Sequence, residues 1–334
     1  MMEQKTCLIV GAGMAGLIAA TELQNAGWSV TVLDKGRGVG GRTANRRFGG
    51  ASFDHGAQYF TVRDERFQAY VEQWLVAGSV KEWARGFENH EGESSSGKYP
   101  RYAGVNGMTG MAKALAEGLD VHTSMTVRQI DVVDGHWQLT VEPYGADEPE
   151  IHTADALIMT PPAEQTLTLM RSGNVALPDE AIGALEAITF NPCFAVMVLL
   201  DKPGKIPAPG GIFMPGEPIS WMSDNQQKGI SEPPAITIHA GPEFTRTHYD
   251  DDRTDVAHML IDAARDYLGD ANVVGFQVQR WKYSQPVNMH PEKTLFVDTP
   301  APVAFAGDAF NGAKVEGAAL SGMAAAHKLI KALG

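Results

Sequence analysis

The chain has 334 residues, of which 44% are hydrophobic and 20% are charged, as in ordinary soluble globular proteins of about two domains. This composition excludes a disordered chain, a coiled coil and a collagen-like fibre. Lys and Arg number 27 against 40 Asp and Glu, a formal net charge of −13 that disfavours binding to nucleic acids and to anionic membranes. The two cysteines, Cys7 and Cys193, are too few for a disulfide framework or a cysteine-rich metal site.

We expect a soluble, cytoplasmic protein. The first apolar run, residues 7–10, is too short for the hydrophobic core of a signal peptide. No stretch approaches the roughly 18 uninterrupted apolar residues of a membrane-spanning helix. The histidines lack the spacing of metal ligands, so no metal site is predicted.

Residues 6–34 predict a compact βαβ unit. The apolar run at 6–10 is bounded by glycine, as in a strand buried on both faces of a parallel sheet. Helical periodicity follows at 17–26, and a second strand at 29–33 leads into Asp34.

Further helices and strands are predicted along the rest of the chain. The helices are 64–77 with Asp64 as N-cap, 108–119, 179–188, 252–268 and 317–333. The strands are 121–123, 126–133, 137–142, 156–159, 194–200, 235–240, 274–283 and 303–306, with a turn at Asp134-Gly135. Residues 86–98 are rich in Gly, Ser and Glu without periodicity, so we expect a mobile surface loop there. A domain crossing is expected at Thr160-Pro161-Pro162.

The turn between the first strand and the first helix, residues 11–16, fits the pattern G-x-G-x-x-G. In this pattern Gly11 permits a sharp turn and Gly13 lets the backbone approach a pyrophosphate. Gly16 lets the helix pack closely on the strands. The three glycines therefore predict a dinucleotide-binding turn.

The residues around this turn complete the pattern. Met14 and Ala15 belong to the turn that leads into the helix, whose free N–H groups and dipole can bind phosphates. Asp34 stands at the end of the second strand, where a carboxylate can accept hydrogen bonds from the ribose hydroxyls. The sequence therefore predicts a site for an adenine dinucleotide.

A second glycine motif continues directly from this acid. Residues 34–43 read Asp-Lys-Gly-Arg-Gly-Val-Gly-Gly-Arg-Thr. This resembles the second glycine motif of the flavoprotein superfamily that includes monoamine and polyamine oxidases, phytoene desaturases and renalase, in which the motif lies along FAD. The resemblance implies FAD contacts by Lys35, Gly40, Gly41 and Arg42. Arg42 can neutralise diphosphate charge.

The C-terminal part resembles the same superfamily. Residues 305–308, Phe-Ala-Gly-Asp, are similar to its second FAD-binding strand, whose Asp binds the ribityl chain, and residues 314–322 then open the last helix. The N-terminus of that helix would face the flavin N1–C2=O edge and stabilise the reduced anion. The FAD contacts implied here are Gly307, Asp308, Glu316, Gly317 and Ala318. The family also uses a strand valine to hold adenine, which implies Val127.

The resemblance is nearest to bacterial renalase-like proteins. Residues 54–61, D-H-G-A-Q-Y-F-T, are similar to their D-x-G-A-Q-Y-F-T element, and residues 280–283, R-W-K-Y, to their R-W-x-Y strand. It implies an α/β fold with a Rossmann-like FAD-binding domain and a mixed α+β substrate domain, as in amine oxidases and p-hydroxybenzoate hydroxylase. The expected FAD-binding domain is 1–62, 105–165 and 296–334, and the expected substrate domain is 63–104 and 166–295.

The substrate side is predicted from aromatic residues. Amine oxidases flank the flavin with aromatic side chains, and Tyr59, Trp281 and Tyr283 are the candidates for catalytic walls here. Trp281 and Tyr283 share one face of a predicted strand, whereas Lys282 points away. Flat aromatic walls suit a planar nicotinamide or aryl group. The alternative is that these residues belong to the core, which is the favoured interpretation for Phe60.

The expected function is that of an FAD-dependent oxidase. A hydride would pass from a small-molecule donor to flavin N5, and O2 would reoxidise the flavin to give hydrogen peroxide. The resemblance implies a dihydronicotinamide isomer of NAD(P)H as donor. Non-covalent FAD is expected because no cysteine follows Cys193. Three alternatives stay open: an amine oxidase for primary or secondary amines, a desaturase or isomerase, and a non-catalytic flavin-fold binding protein.

Overall fold

The computed structural model describes residues 4–334, except for the side chains of Ser95 and Ser96. The strands are β1 (Thr6–Val10), β2 (Ser29–Asp34), β3 (Asn45–Phe48), β4 (Ala51–Asp54), β5 (Val80–Asn89), β6 (Ser94–Gly104), β7 (Asp120–Thr123), β8 (Met125–Val133), β9 (His136–Pro143), β10 (Glu150–Ala154), β11 (Ala156–Met159), β12 (Phe190–Leu200), β13 (Gly211–Phe213), β14 (Ile219–Asp224), β15 (Ala235–Ala240), β16 (Val273–Pro286), β17 (Leu295–Val297) and β18 (Val303–Phe305).

The α-helices are α1 (Met14–Asn25), α2 (Glu65–Val76), α3 (Thr109–Ala116), α4 (Ala163–Met170), α5 (Asp179–Glu186), α6 (Pro242–Thr247), α7 (Arg253–Ala263), α8 (Arg265–Leu268) and α9 (Val315–Leu333), with a 3-10 turn at Gly41–Thr43. Among the residues described, no helix is both long and apolar enough to cross a membrane.

The chain divides into two compact units. Unit 1 contains the residues up to Gly41, Ala112–Thr189 and Pro286–Gly334, and unit 2 contains Arg42–Met111 and Phe190–Gln285. Residues 163–189, which carry α4 and α5, thus belong to unit 1. The division into an FAD-binding domain and a substrate domain, with the boundaries given above, stays a prediction.

Unit 1 is built on a Rossmann-like sheet. Its strand order is β17-β18-β11-β1-β2-β7, and all neighbours are parallel except the antiparallel pair β17–β18. Strands β11 and β18 are buried throughout, as expected for a parallel sheet covered on both faces. Helix α9 packs closely on α1, since a Cβ on Gly322 would lie 2.2 Å from the Ala15 carbonyl oxygen. Glycine there is therefore required by the helix contact.

An antiparallel sheet, β10-β9-β8, completes unit 1. Asp134 and Gly135 have positive φ angles of 50° and 80°, which confirms the predicted turn between β8 and β9. Trp137 is fully buried, and its Nε1 donates a 2.8 Å hydrogen bond to the carbonyl of Pro302.

Unit 2 contains a larger sheet of order β16-β12-β15-β14-β13-β5-β6 and the pair β3-β4. Strand β13 runs parallel to β5, whereas β12, β15, β14 and β13 pair in antiparallel fashion. Helix α7 buries Val256, Ala257 and Leu260 in a core with β12 and β15. Asp252 caps α7 by accepting hydrogen bonds from the amides of Thr254 and Asp255.

The expectation of a loop at residues 86–98 is wrong. Most of this segment lies in β5 and β6, which form an antiparallel hairpin with two register shifts. Phe87, in the middle of the polar stretch, is 1% exposed. Strand pairing and the burial of one aromatic side chain therefore outweigh a composition typical of loops. The predicted helix 252–268 is also divided, because α7 ends at Ala263 and α8 begins at Arg265.

Candidate functional site

The first glycine turn has a geometry that explains each of its glycines. Gly11 has a φ of +105°, and a Cβ there would lie 2.3 Å from Thr160 Oγ1. A Cβ on Gly16 would lie 2.0 Å from the Gly11 carbonyl oxygen, so the helix packs directly on the turn. By contrast, a Cβ on Gly13 would have no described atom within 4 Å. The space beside Gly13 is therefore open to a ligand.

The N-terminus of α1 is suited to binding an anion. Gly13 is its N-cap and supplies no side-chain hydrogen bond, and its first turn, which begins with Met14 and Ala15, has no acidic residue. The N–H groups of an uncapped first turn attract phosphate, and an absent acid leaves the helix dipole unopposed there.

Asp34 joins this turn to the second strand. Its Oδ2 accepts a 2.6 Å hydrogen bond from the Ala12 amide, and its Oδ1 accepts one of 2.6 Å from the Gly36 amide. Each carboxylate oxygen has a second lone pair, so both can still accept hydrogen bonds from ribose hydroxyls. The neighbouring Lys35 is exposed, with its Nζ 3.2 Å from Gln165 Oε1.

The glycines of the two motifs lie side by side in unit 1. The Gly40 amide donates a 2.8 Å hydrogen bond to the Ala12 carbonyl. Gly40 and Gly41 have positive φ angles of 113° and 53°, and a Cβ on Gly41 would lie 3.6 Å from the Gly13 Cα. The backbone of the second motif thus lies against the ligand-facing glycine of the first.

Thr160 brings the C-terminal motif to the same edge of the sheet. Its amide and Oγ1 donate to the Val10 carbonyl at 3.0 and 2.7 Å, and its own carbonyl oxygen lies 3.9 Å from where a Cβ on Gly307 would be. Ser321 Oγ accepts a 2.9 Å hydrogen bond from the Gly307 amide. The glycine turn, Asp34, Thr160 and Gly307 therefore stand at the carboxyl ends of β1, β2, β11 and β18, where open α/β sheets bind ligands.

The other predicted FAD contacts of unit 1 lie in or near these elements. Asp308 is half-buried, and Glu316 is 8% exposed in the first turn of α9. A Cβ on Gly317 would lie 2.0 Å from the Gly312 carbonyl oxygen, and the Ala318 amide donates to the Lys314 carbonyl at 3.0 Å. Val127 is buried in β8. Gly13, Asp34 and the α1 N-terminus together fit an adenine dinucleotide.

Arg42 lies at the start of unit 2. Its Nη1 donates hydrogen bonds to the carbonyls of Tyr283 and Ser284 at 3.4 and 3.3 Å, and its Cζ lies 5.9 Å from the ring centroid of Phe190. The predicted cofactor arginine and the predicted wall residue Tyr283 are thus in direct contact.

Trp281 forms a flat pair with a residue of the 54–61 motif. Its ring stacks on His55 with centroids 5.3 Å apart and an interplanar angle of 15°, and its Nε1 donates a 2.9 Å hydrogen bond to the His55 carbonyl. The Tyr283 ring meets Phe190 edge-on at 5.6 Å. Lys282 is exposed, although its Nζ lies 5.0 Å from the Tyr283 ring centroid.

Two histidines of this region have lowered pKa values: His55, which belongs to the stacked pair, and His239. Burial, with smaller contributions from the charges of Arg46 and His239, lowers the pKa of His55 to about 3. Burial likewise lowers the pKa of His239 to about 4, and the His239 Nε2 lies 3.4 Å from Gln58 Nε2. Among the described atoms, His55 Nδ1 is buried without a hydrogen-bond partner. Both imidazoles are therefore uncharged at neutral pH.

Lys228 is a member of this region that sequence reasoning missed. Its Nζ lies 2.7 Å from Asp54 Oδ2 and 2.5 Å from the Gln58 carbonyl oxygen, and both charged side chains are 0% exposed. Burial lowers the pKa of Lys228, while the Asp54 carboxylate opposes that shift. Ser223 Oγ donates a 2.7 Å hydrogen bond to Gln58 Oε1. No sequence signal pairs residues so far apart in the chain.

Tyr59 lies in a separate aromatic cluster, which consists of Tyr59, Trp83, Phe87, Phe213 and Trp221. Among the described ring contacts, Tyr59 has none with Trp281 or Tyr283. Phe60 is 3% exposed and packs against Phe67, Trp74 and Tyr102, as expected for a core residue. The described residues contain no group of His, Cys, Asp and Glu side chains that could hold a metal ion.

Solved structures share this fold, and curated proteins match short stretches of the sequence. The fold is similar to that of a putrescine oxidase with putrescine bound, with a TM-score of 0.72 and 16% identity over 98% of this chain and 99% of that chain. Among curated relatives, putrescine oxidase of Kocuria rosea is 37% identical over 70 residues, and carotenoid 3,4-desaturase of Haloarcula japonica is 41% identical over 64 residues. These matches cover 15% and 13% of the two relatives, and 21% and 19% of this chain.

Family models cover most of the chain. Residues 9–74 match an NAD(P)-binding Rossmann-like domain, and residues 85–330 match the flavin-containing amine oxidoreductases. The predicted Rossmann-like architecture, the FAD cofactor and the oxidoreductase class are confirmed. The chain belongs to the flavin-containing amine oxidoreductase family and is an FAD-dependent oxidoreductase.

Proposed function

We propose that this flavoenzyme is a renalase-like oxidase whose donor is a dihydronicotinamide isomer of NAD(P)H. The donor C–H bond breaks, the hydride leaves with two electrons, and the dihydropyridine ring becomes an aromatic pyridinium. Bound FAD supplies the two-electron acceptor, and O2 takes the two electrons together with two protons to give hydrogen peroxide.

This proposal rests on the ion pair between Asp54 and Lys228. A carboxylate that faces the donor would favour the ammonium form of a cationic amine. Asp54, the acid of the motif that also contains His55 and Tyr59, instead holds Lys228 at 2.7 Å in a fully buried ion pair, and its Oδ1 accepts a 2.8 Å hydrogen bond from the Met108 amide. The motif therefore presents no free negative charge, which favours a planar donor over a protonated amine.

The neutral stacked pair supports the same donor. His55 and Trp281 form a flat surface, and burial keeps His55 uncharged at neutral pH. Hydride loss from a dihydropyridine leaves no proton to be removed at the reacting carbon, so a strong base is unnecessary. In this proposal, the work of Trp281 and Tyr283 is to orient the donor ring and to exclude water.

We further propose that unit 1 binds FAD and that no covalent bond holds it. Burial raises the pKa of Cys193 to about 12 and also raises the pKa of Cys7, so neither thiol is a ready nucleophile. Acid precipitation of the purified protein should leave a colourless pellet and a yellow supernatant. A yellow pellet would refute this part of the proposal.

A comparison of donors under anaerobic conditions tests the proposed reaction. The holoenzyme is mixed with the 2- and 6-dihydro isomers of NAD(P)H, with ordinary NAD(P)H, and with putrescine and benzylamine. We expect an isomer to bleach the flavin, and subsequent oxygen to restore the colour with one hydrogen peroxide per donor. Bleaching by an amine alone would identify an amine oxidase, and slow reoxidation by O2 would favour a desaturase or isomerase.

A further inference from the structure

The aromatic cluster around Tyr59 holds a guanidinium group to which the described residues supply no hydrogen bond or ion pair. Arg101, on β6, places its Cζ 5.7 Å from the ring centroid of Tyr59 and 5.0 Å from that of Phe87. Its Nε and Nη1 atoms are buried, and within the described part of the chain neither has a hydrogen-bond partner. No ion pair of Arg101 is found among the described side chains, either. Buried donors in folded proteins are nearly always paired, so an acceptor is missing here.

A second unpaired donor lies beside the same rings. The indole Nε1 of Trp221 is buried and, within the described residues, has no hydrogen-bond partner. Its ring lies 5.8 Å from Tyr59 and 5.0 Å from Phe87, the same two rings that flank Arg101. By contrast, Trp83 Nε1 in the same cluster donates a 2.9 Å hydrogen bond to the Pro209 carbonyl. The unpaired atoms are thus N–H donors from two residues around one pair of rings.

The charge around the cluster favours an anion. Lys228 Nζ lies 4.6 Å from the Trp83 ring centroid, and the Asp54 carboxylate already neutralises that lysine. Arg101 therefore supplies the uncompensated positive charge. Arg101 and Tyr59 are both half-buried residues, so the cluster borders solvent at these two positions. A planar guanidinium matches a carboxylate or phosphate with two parallel hydrogen bonds, and flat aromatic rings bind another flat ring.

We propose that Arg101, Tyr59 and Trp221 form a subsite for an oxyanion attached to an aromatic or heteroaromatic ring. The oxyanion accepts hydrogen bonds from Arg101 and Trp221, and the attached ring packs on Tyr59, which is half-buried. This inference rests on the proposed function, because it makes the hydride donor, or a part of it, an anion. The inference goes beyond that function because it assigns the preference for a negatively charged donor to one residue, Arg101.

The test begins with binding, which needs no turnover. The oxidised holoenzyme is titrated calorimetrically with benzoate, with its neutral isostere benzamide, and with phenyl phosphate. We expect benzoate or phenyl phosphate to bind at least tenfold more tightly than benzamide, and the stronger of the two identifies the oxyanion as carboxylate or phosphate. Equal binding of benzoate, phenyl phosphate and benzamide, or no binding of either anion, would overturn the subsite without any variant.

Variants then assign the binding to Arg101. Arg101→Gln should abolish the preference for the anion, and Arg101→Lys should keep the charge but weaken binding about tenfold, because the two-pronged geometry is lost. Arg85→Gln is the matched control, since Arg85 lies on the paired strand β5 with its side chain 68% exposed. Thermal melts show which variants fold. If Arg101→Gln does not fold, Arg101→Lys alone provides the test. An undiminished preference in a folded Arg101 variant would contradict the assignment.

Kinetics separate this inference from the proposed function. With the donor that bleaches the flavin, Arg101→Lys should raise KM about tenfold while kcat changes little. Normal oxidation of a dihydronicotinamide with an unchanged KM would refute the subsite and leave the proposed function standing. Selective binding of the anions without any oxidation of dihydronicotinamides would support the subsite and refute the proposed function.

Discussion

Lys228 Nζ lies 2.7 Å from Asp54 Oδ2, and neither side chain is exposed to solvent. The pair fixes the start of the motif at residues 54–61, because Lys228 also contacts the Gln58 carbonyl and Asp54 also accepts from the Met108 amide. Separating two such charges from water costs free energy, which their attraction and these additional hydrogen bonds offset.

Removing one member of this pair should be strongly destabilising. Lys228→Met leaves a buried carboxylate without its counter-charge and should lower the free energy of unfolding by about 3–5 kcal/mol. The double variant Lys228→Met/Asp54→Asn removes both charges and should recover part of that loss. Urea unfolding at neutral pH measures both effects.

The exposed pair Lys202–Asp270, at 2.8 Å, is the control, and Lys202→Met should leave the free energy of unfolding almost unchanged because solvent screens this pair. Equal losses for Lys202→Met and Lys228→Met would show that burial of the Asp54 pair is energetically unimportant.

The two neutral histidines should make the protein acid-sensitive. Their folded-state pKa values, about 3 for His55 and about 4 for His239, lie below the ordinary value of 6.5. The unfolded chain therefore binds more protons as the pH falls from 6.5 toward 4, so stability is complete at neutral pH and decreases through this window. Each of the two histidines should lower the free energy of unfolding by about 2 kcal/mol between pH 7 and pH 5.

Urea unfolding at these two pH values measures that loss. His239→Gln should remove its share of the decrease. An unaltered pH dependence in His239→Gln would show that His239 is not held neutral by the fold.

The glycine turn allows ligand binding and packing to be separated. Gly16→Ala places a methyl group 2.0 Å from the Gly11 carbonyl oxygen and should lower the melting temperature even of the FAD-free protein. Gly13→Val enters open space and should leave the FAD-free protein stable while weakening FAD binding at least tenfold. Melting curves with and without FAD, together with an FAD titration, measure both. Normal FAD affinity in Gly13→Val would contradict the assignment of the open space beside Gly13 to the dinucleotide.

Trp281 and Tyr283 should matter for flavin reduction. If they orient the donor, replacing either with Ala should slow anaerobic flavin reduction by about tenfold to a hundredfold while the FAD spectrum persists. Trp137→Ala is the control, because Trp137 is a fully buried core residue of unit 1 whose loss should cost about 3–5 kcal/mol of stability without affecting the reduction rate. A large fall in melting temperature with a normal rate in Trp281→Ala would return Trp281 to the core.

Local motifs made much of the fold predictable. The pattern at residues 11–16 and the acid Asp34 predict the βαβ unit because each residue meets a local backbone or phosphate requirement. The Asp64 cap and the Asp134-Gly135 turn were predictable for the same reason. The hairpin of β5 and β6 was not, since its pairing and the burial of Phe87 arise from contacts that its polar composition does not indicate.

The candidate site likewise contains residues that the sequence predicts and residues that it does not. The glycines and Asp34 are read from the sequence, but Lys228, Arg101 and Trp221 have no local signature. Their roles depend on contacts between residues that are distant in the sequence. Lys228 pairs with Asp54, which lies more than half the chain length away. Arg101 contacts Phe87 because β5 and β6 pair. Tyr59, predicted with Trp281 and Tyr283, packs instead in the cluster beside Arg101.

Anaerobic mixing of the holoenzyme with single donors tests the central claim most directly. The account predicts that a dihydronicotinamide isomer bleaches the visible flavin absorption within one turnover and leaves NAD or NADP as product. Putrescine and benzylamine should leave the absorption unchanged. Rapid bleaching by either amine, with no response to any dihydronicotinamide isomer, would contradict the account.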